Sequence, residues 1–481
     1  MISFILSAIL LILGFLIYGK LVDRNFAPDD RPTPAMVRAD GVDFVPLPTW
    51  KVFLIQLLNI AGTGPIFGAL SGAMFGPIVY FWIVFGCIFA GAVHDYMCGM
   101  LSVRNDGANV SELTGKYLGK PMMQIMRVFS VILLVMCGVV FTTGPAGLMA
   151  LLTPEKLSTK YWLCVILIYY FIATFLPIDK VIGKFYPLFG VCLLMMAFGV
   201  GGSLLFSGKF QMPEIWNHFE NMHAEGTSIW PFMCVTVACG AISGFHATQS
   251  PMMARCIKSE REGRKVFYGA MVAEGLIALI WAAAGVTCYD SSRALLDAGA
   301  GCSAVVYEIC QTTMGKFGAI LALLGVIACP ISSGDTAYRA ARLTLGEWFK
   351  LDQSQGRNRL ILTAPLLFAG ALICQMDYSM VWRYFSWSNQ TLATITLWAA
   401  TVYLLREKKK FSFTLFPAMV MTAICTTYFV AAPECLGSQF SALNVPYNVY
   451  YPIGIALGVV VSALLAFLLI RKQKKYISHR I

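Results

Sequence analysis

Few ionisable side chains stand inside the long apolar stretches of this 481-residue chain, and those few set the chemistry it can do. Glu274 lies in the run Gly269-Ala-Met-Val-Ala-Glu-Gly-Leu-Ile-Ala-Leu-Ile-Trp281, about eight residues from one end of its stretch, or roughly 12 Å of helix. Desolvation there favours the neutral carboxyl, and a group that alternates between neutral and charged forms can carry a proton. The plainer role is a protonated or paired Glu bracing two helices. His94 and Asp95 stand together in another apolar stretch, and Asp335 precedes Arg339 by four residues, a spacing that pairs them on one helix face. Ser332, Ser333 and Thr336 follow Pro330 and can ligate a cation or bond back to their own helix. Together, Glu274, His94, Asp95, Asp335, Ser332, Ser333 and Thr336 are the candidates for ion coupling.

The elements that position these groups are membrane helices. With 58% hydrophobic and 13% charged residues, and a mean hydropathy of +0.70, the chain has lipid as its solvent. About thirteen spans are expected, over 2–21, 52–70, 77–103, 125–152, 161–177, 185–207, 231–257, 266–287, 316–338, 360–376, 385–405, 412–432 and 449–470. The first lacks a basic leader and a good cleavage site at Tyr18-Gly-Lys20, so it reads as a retained helix.

Two spans are interrupted. In the first, the pattern from Val52 to Ile60 runs into Ala61-Gly-Thr-Gly-Pro65 and then resumes. Nine residues make roughly 13 Å of helix, which puts the break near the middle of the bilayer. Irregular backbone at that depth lines a cavity or is buried in protein, and Pro65 suits the first turn of a second half-helix. The other break falls in Gly240-Ala-Ile-Ser-Gly-Phe-His-Ala-Thr-Gln-Ser-Pro251, where Ser250-Pro251 reads as an N-cap followed by proline. Two interrupted helices at corresponding places in 52–207 and 231–405 point to an inverted five-plus-five repeat and a secondary transporter. Residues 1–51 then form an extra helix and a loop, 412–470 two further helices, and 471–481 a basic tail.

A half-helix N-terminus offers unpaired N–H groups and partial positive charge to an anion, and the exposed carbonyls opposite can hold a cation. Substrate contacts are therefore expected at Gly62, Thr63, Gly64, Pro65, Ser243, His246, Gln249 and Ser250. The alternative is that the glycines only permit close helix packing, which fits Gly68 and Gly72 as well.

Most of the 36 Lys and Arg lie in alternate loops, at 22–51, 104–121, 178–184, 255–265, 338–359, 406–410 and 471–481. The positive-inside rule makes these cytoplasmic, with the amino terminus outside. The net charge of +11 thus reads as orientation rather than nucleic-acid binding. The 15 cysteines show no CxxC pair and no His at metal spacing, so neither metal nor cofactor is expected. Cys288, Cys302, Cys310 and Cys435 fall in expected outer loops, where a disulfide is permitted.

Five motifs, Asn59-Ile-Ala-Gly-Thr-Gly-Pro65, Gly91-Ala-Val-His-Asp95, Ala273-Glu-Gly275, Pro330-Ile-Ser-Ser-Gly-Asp-Thr336 and Trp382-Arg-Tyr-Phe-Ser-Trp-Ser-Asn-Gln390, resemble those of the carbon starvation protein A family. The resemblance runs in order from about residue 50 to residue 405. It implies a bacterial inner-membrane transporter related to the amino acid, polyamine and organocation superfamily, taking up peptides or pyruvate by ion-coupled symport. It also adds Asn389 and Gln390 to the substrate candidates.

The expected activity is proton-coupled import of a small carboxylate by alternating access. Sodium coupling is the alternative, with the ion at Ala61, Gly64, Ser332 and Ser333. A receptor that binds without transport is a third reading, although no signalling module fills a loop. No cluster of nucleophile, base and orienting group marks an enzyme.

Overall fold

The computed structural model describes residues 1–40, 44–62, 64–174, 178–299, 303–353 and 355–478, without the side chains of 178–189, 328–329 and 474–478. Among the described residues the chain is helix and turn, with no strand. The elements that matter for the site are α1 (Ile2–Phe26), α2 (Thr49–Ile60), α3 (Gly64–Ala73), α4 (Val79–Val103), α5 (Lys120–Leu152), α6 (residues 231–236), α7 (Phe245–Ala254), α8 (Glu260–Cys288), α9 (Ser303–Phe349) and α10 (Tyr378–Arg406). Among the described residues, each expected span contains helix, interrupted at the two breaks. Among them, seven helices are long and apolar enough to cross a membrane, or eight when one bent pair counts as a span. Length and apolarity alone therefore do not reach the full count of about thirteen.

The bent pair is α2 and α3, which turn by 50° across the first break. The helix stops at Ala61, whose ψ of 49° leaves the helical region, and restarts with Pro65 in its first turn, where a missing N–H costs nothing. Thr63 lies outside the described residues. The second break differs from its expected position. The helix leaves its path at Val237, with ψ of 58°, and restarts at Phe245, so Ser250 and Pro251 sit inside α7 rather than at its start. Glycine explains the shift. Gly240, at φ +91°, makes the turn that a residue with a Cβ resists, and the chain is helical again five residues later.

In α9 the backbone turns at Gly315, with φ of 62°, which separates a surface helix from the expected span over 316–338. Around the breaks, α3 packs on α8, while α7 packs on α2, α4 and α10. The outward faces are apolar, with Leu6, Ile9, Leu16, Phe198, Phe206, Val459 and Val460 exposed, as a lipid-facing surface requires. This is a multi-pass membrane protein.

At the expected inner end, Arg104 joins four elements. Its guanidinium pairs with Glu260 at 2.9 Å and donates to Tyr403 Oη at 2.6 Å and to the Ala27 carbonyl at 2.8 Å. Among the described cysteines, Cys288, Cys310 and Cys435 are free thiols, and Cys302 lies outside the described residues.

Candidate functional site

The two breaks touch. A Cβ on Gly64 would lie 2.6 Å from Cys239 Sγ, so only glycine lets α3 begin against the start of the second break. On the other side, the turn at Gly240 presses on Ala278 of α8, and the Ala241 carbonyl crosses α4 at Gly91, where a Cβ would be 2.2 Å away. The second break is thereby wedged among α3, α4 and α8.

That wedge assembles four buried ionisable groups from three helices. His94 Nδ1 and His246 Nδ1 each lie 2.8 Å from a different oxygen of Asp95, and His246 Nε2 lies 3.3 Å from Glu274 Oε2. All four side chains are fully buried. A carboxylate only accepts, so each Nδ1 donates to Asp95 and each neutral ring presents Nε2 as an acceptor. For His94 the donor is Cys98, with its thiol 3.6 Å away. Among the described residues, no well-formed hydrogen bond reaches His246 Nε2 or either Glu274 oxygen, although the Cys239 thiol and the Gly240 amide stand nearby. A neutral imidazole facing an ionised carboxylate would set acceptor against acceptor, so one of the two carries a proton or a cation stands between them.

The remaining sequence candidates divide. Asn389 of α10 binds the second break: Oδ1 accepts from the Phe245 amide at 2.7 Å, and Nδ2 donates to Ser243 Oγ at 3.1 Å. The first amide of α7 is thus capped by a neutral side chain from another helix, which corrects the expectation of a free N-terminus at Ser250-Pro251. Ser250 Oγ instead accepts from Gln56 Nε2 at 3.2 Å. Gln249 Nε2 donates to Thr248 Oγ1 at 2.9 Å, and Gln390 Nε2 to the Cys234 carbonyl at 3.4 Å.

Around the first break, Ser333 Oγ lies 3.9 Å from where a Gly62 Cβ would stand, so one of the proposed sodium ligands does approach it. Thr336 bonds back to the Ser332 carbonyl at 3.1 Å. Asp335 pairs with Arg339 at 3.2 Å, as its spacing predicts, and lines a small space with Arg342, Thr174 and Thr363 rather than joining Glu274.

Sequence reasoning missed Cys239. Its sulfur, His246 and Glu274 bring their ligand atoms within 4.8 Å of one another, all buried. Six residues separate Cys239 from His246, outside the spacings of familiar metal motifs, and the turn at Gly240 closes that gap. Glu274 of α8 lies against the second break, a contact that its place in the sequence does not reveal. Arg383 was also missed. It pairs with Glu434 at 3.3 Å beside a cavity of about 480 Å³ that is lined by Ser71, Thr236, Tyr378, Trp382 and Tyr428. Trp382 lines this cavity and also lies against α3, with its ring 6.2 Å from that of Phe67.

The sequence matches the model of the carbon starvation protein CstA family over residues 1–150, 146–293 and 282–428. It is 42% identical over 355 residues to an uncharacterised membrane protein of Haemophilus influenzae, covering 63% of this chain and 95% of that one. It is 26% identical to the peptide transporter CstA of Campylobacter jejuni, covering 56% of this chain and 47% of the relative. To the pyruvate/proton symporter BtsT of Escherichia coli it is 24% identical, covering 52% and 43%. The chain therefore spans about half the length, or less, of these two named transporters.

In fold it is similar to a manganese transporter of Eremococcus coleocola, with TM-score 0.53 at 12% identity over 91% of this chain and 99% of that one. It is also similar to the inward-facing conformation of Mhp1, with TM-score 0.51 at 14% identity over 89% and 94%. The two relatives that carry a functional name are transporters, and the solved structures share the fold. The chain is a member of the carbon starvation protein CstA family.

Proposed function

We propose that the chain is a symporter importing a small carboxylate-bearing nutrient, pyruvate or a short peptide, driven by a proton held between Glu274 and His246. The observation that carries this reading is the 3.3 Å approach of His246 Nε2 to Glu274 Oε2 beside both breaks. Two acceptors at that distance need a proton between them, and the groups that share it sit on α7 and α8, elements that must move if the breaks open alternately. Asp95, oriented by His94, holds the His246 ring in place through Nδ1.

The relatives named for peptide transport and pyruvate/proton symport support the substrate class and the ion. Asp95 and Glu274 stand on the helices that follow the first and the second break, as an inverted repeat over 52–207 and 231–405 would arrange them. In this reading the protein lies in the bacterial inner membrane, with the amino terminus outside and the basic tail in the cytoplasm. Substrate reaches the breaks through the cavity beside Trp382, where Arg383 offers a carboxylate a partner.

The test is uptake into proteoliposomes. Glu274→Gln keeps exchange of labelled substrate and loses accumulation driven by a pH gradient. A Glu274→Gln protein that still concentrates substrate removes Glu274 as carrier. Counterflow in the wild type separates a transporter from a receptor, which binds without exchange.

Sodium coupling is the second reading, favoured by the approach of Ser333 to Gly62. Replacing external sodium by choline at fixed pH stops uptake if it holds and leaves uptake unchanged under proton coupling.

A further inference from the structure

We propose that Cys239, His246 and Glu274 form a binding site for a thiophilic divalent cation of the zinc class. This holds whichever ion drives transport. The three donors come from the edge of the second break, from α7 and from α8, and all are buried.

The spacing of the donors fits a shared ion. A charge-assisted N–H···O bond closes to about 2.7–2.9 Å. Two ligands on one tetrahedral zinc, with bonds of about 2.0–2.1 Å, stand about 3.4 Å apart. His246 Nε2 and Glu274 Oε2 are 3.3 Å apart, and among the described residues neither atom has a well-formed hydrogen bond. The imidazole is already oriented as a ligand: Nδ1 donates to Asp95 at 2.8 Å, which leaves the Nε2 lone pair directed at Glu274. A carboxylate behind a ligating histidine is the usual outer partner at such sites.

The donor set selects the cation. Thiolate and imidazole favour zinc or cobalt over magnesium or calcium, which take oxygen. The thiolate and carboxylate together balance the divalent charge of the ion, which lowers the cost of holding it in a buried site. Three protein ligands leave the fourth tetrahedral position to water or a small anion. The backbone makes room as well, since glycine at 64 is what allows Cys239 Sγ its place. An ion held here ties α7 and α8 to the second break and arrests the movement that transport needs.

The test uses the full chain, purified in detergent and stripped with chelator. Cobalt titration should give one equivalent bound, with a thiolate-to-cobalt charge-transfer band that zinc abolishes. Cys239→Ser should lose the band and weaken cobalt binding about 10-fold or more, whereas Cys98→Ser keeps both. X-ray absorption of the zinc-loaded wild type, which needs no variant to fold, should show a single sulfur at about 2.3 Å with nitrogen and oxygen at about 2.0–2.1 Å.

In proteoliposomes, zinc should inhibit wild-type uptake at least 10-fold more strongly than it inhibits Cys239→Ser, each measured against its own zinc-free rate. No charge-transfer band, a band that survives in Cys239→Ser, or a zinc shell without sulfur overturns the proposal. None of these results touches the proton reading, which fails on Glu274→Gln accumulation instead.

Discussion

The Phe245 amide donates to Asn389 Oδ1 at 2.7 Å, so the half-helix after the second break is capped by a side chain 144 positions away. The same side chain holds Ser243 through Nδ2, which fixes both ends of the turn into α7 and ties the break to α10. Removing it leaves the buried Phe245 amide without this partner and the Ser243 hydroxyl with the Cys239 thiol, 3.6 Å away. Asn389→Ala is expected to destabilise the protein by about 1–3 kcal/mol, read as a lower melting temperature. Asn389→Asp keeps the acceptor but loses the donor, and should fall between the two. A melting temperature for Asn389→Ala equal to the wild type would show that the cap is dispensable.

Gly64 carries the second prediction. A methyl group there would meet Cys239 Sγ at 2.6 Å and Cβ at 2.9 Å, so Gly64→Ala must push the two breaks apart. Transport should fall on the order of 100-fold, the scale that about an ångström of misplacement costs at a site. Gly68→Ala meets the Thr236 carbonyl at 3.2 Å and the Trp382 ring at 3.5 Å, contacts that small shifts relieve, and its loss should be several-fold smaller. Pairing Gly64→Ala with Cys239→Gly removes the clash and should restore part of the activity. If the double variant is no better than Gly64→Ala alone, contact with Cys239 is not the cause.

These two sites show how far the sequence could be read. The first break was legible because Gly64-Pro65 fixes where a helix restarts through backbone chemistry alone. The same logic misplaced the second restart, because Ser250-Pro251 also reads as a cap while the true cap, Asn389, arrives from another helix. A cap supplied in three dimensions leaves no local signature. His94, Asp95, His246 and Glu274 were legible singly, since a charge is conspicuous in an apolar stretch. Their meeting was not, because it depends on the turn at Gly240 and on the backbone contact between Gly91 and Ala241. Cys239 was hidden for a related reason: a lone cysteine among apolar residues looks like any other small core side chain.

Arg104 and Glu260 carry the third prediction. Glu260 is fully buried and its partner nearly so, and the pair holds α4, α8, α10 and the end of α1 together. Removing Arg104 leaves buried Glu260 with only Arg31, 3.6 Å away, and the Asp29 amide, so the loss should approach, without reaching, the about 3–5 kcal/mol of a buried charge left wholly unpaired. Arg104→Ala should therefore lower the melting temperature far more than Arg38→Ala, whose ion pair with Asp106 is exposed and of little weight. Comparable shifts for the two variants would count against a structural role for the Arg104 cluster.

The last prediction concerns pH at the other end of α1. Glu214, in the loop before the second break, accepts from the Ile2 amide at 2.9 Å, from the Ser3 amide at 2.8 Å and from the amino terminus at 2.8 Å. Partial burial works to raise its carboxyl, but these hydrogen bonds outweigh it and hold the group at about 2, below its ordinary 4.5. A depressed folded-state value means that the tie is fully present above about 4.5 and is lost as pH falls from there towards about 2. Glu214→Gln should therefore melt below the wild type at pH 7, and the gap should close across that acid window, because the two side chains then carry the same charge. Hydrogen exchange gives an independent reading, since the Ile2 and Ser3 amides should lose protection in the variant at pH 7 and in the wild type only under acid. A gap that stays constant down to pH 2 would show that Glu214 acts through shape rather than charge.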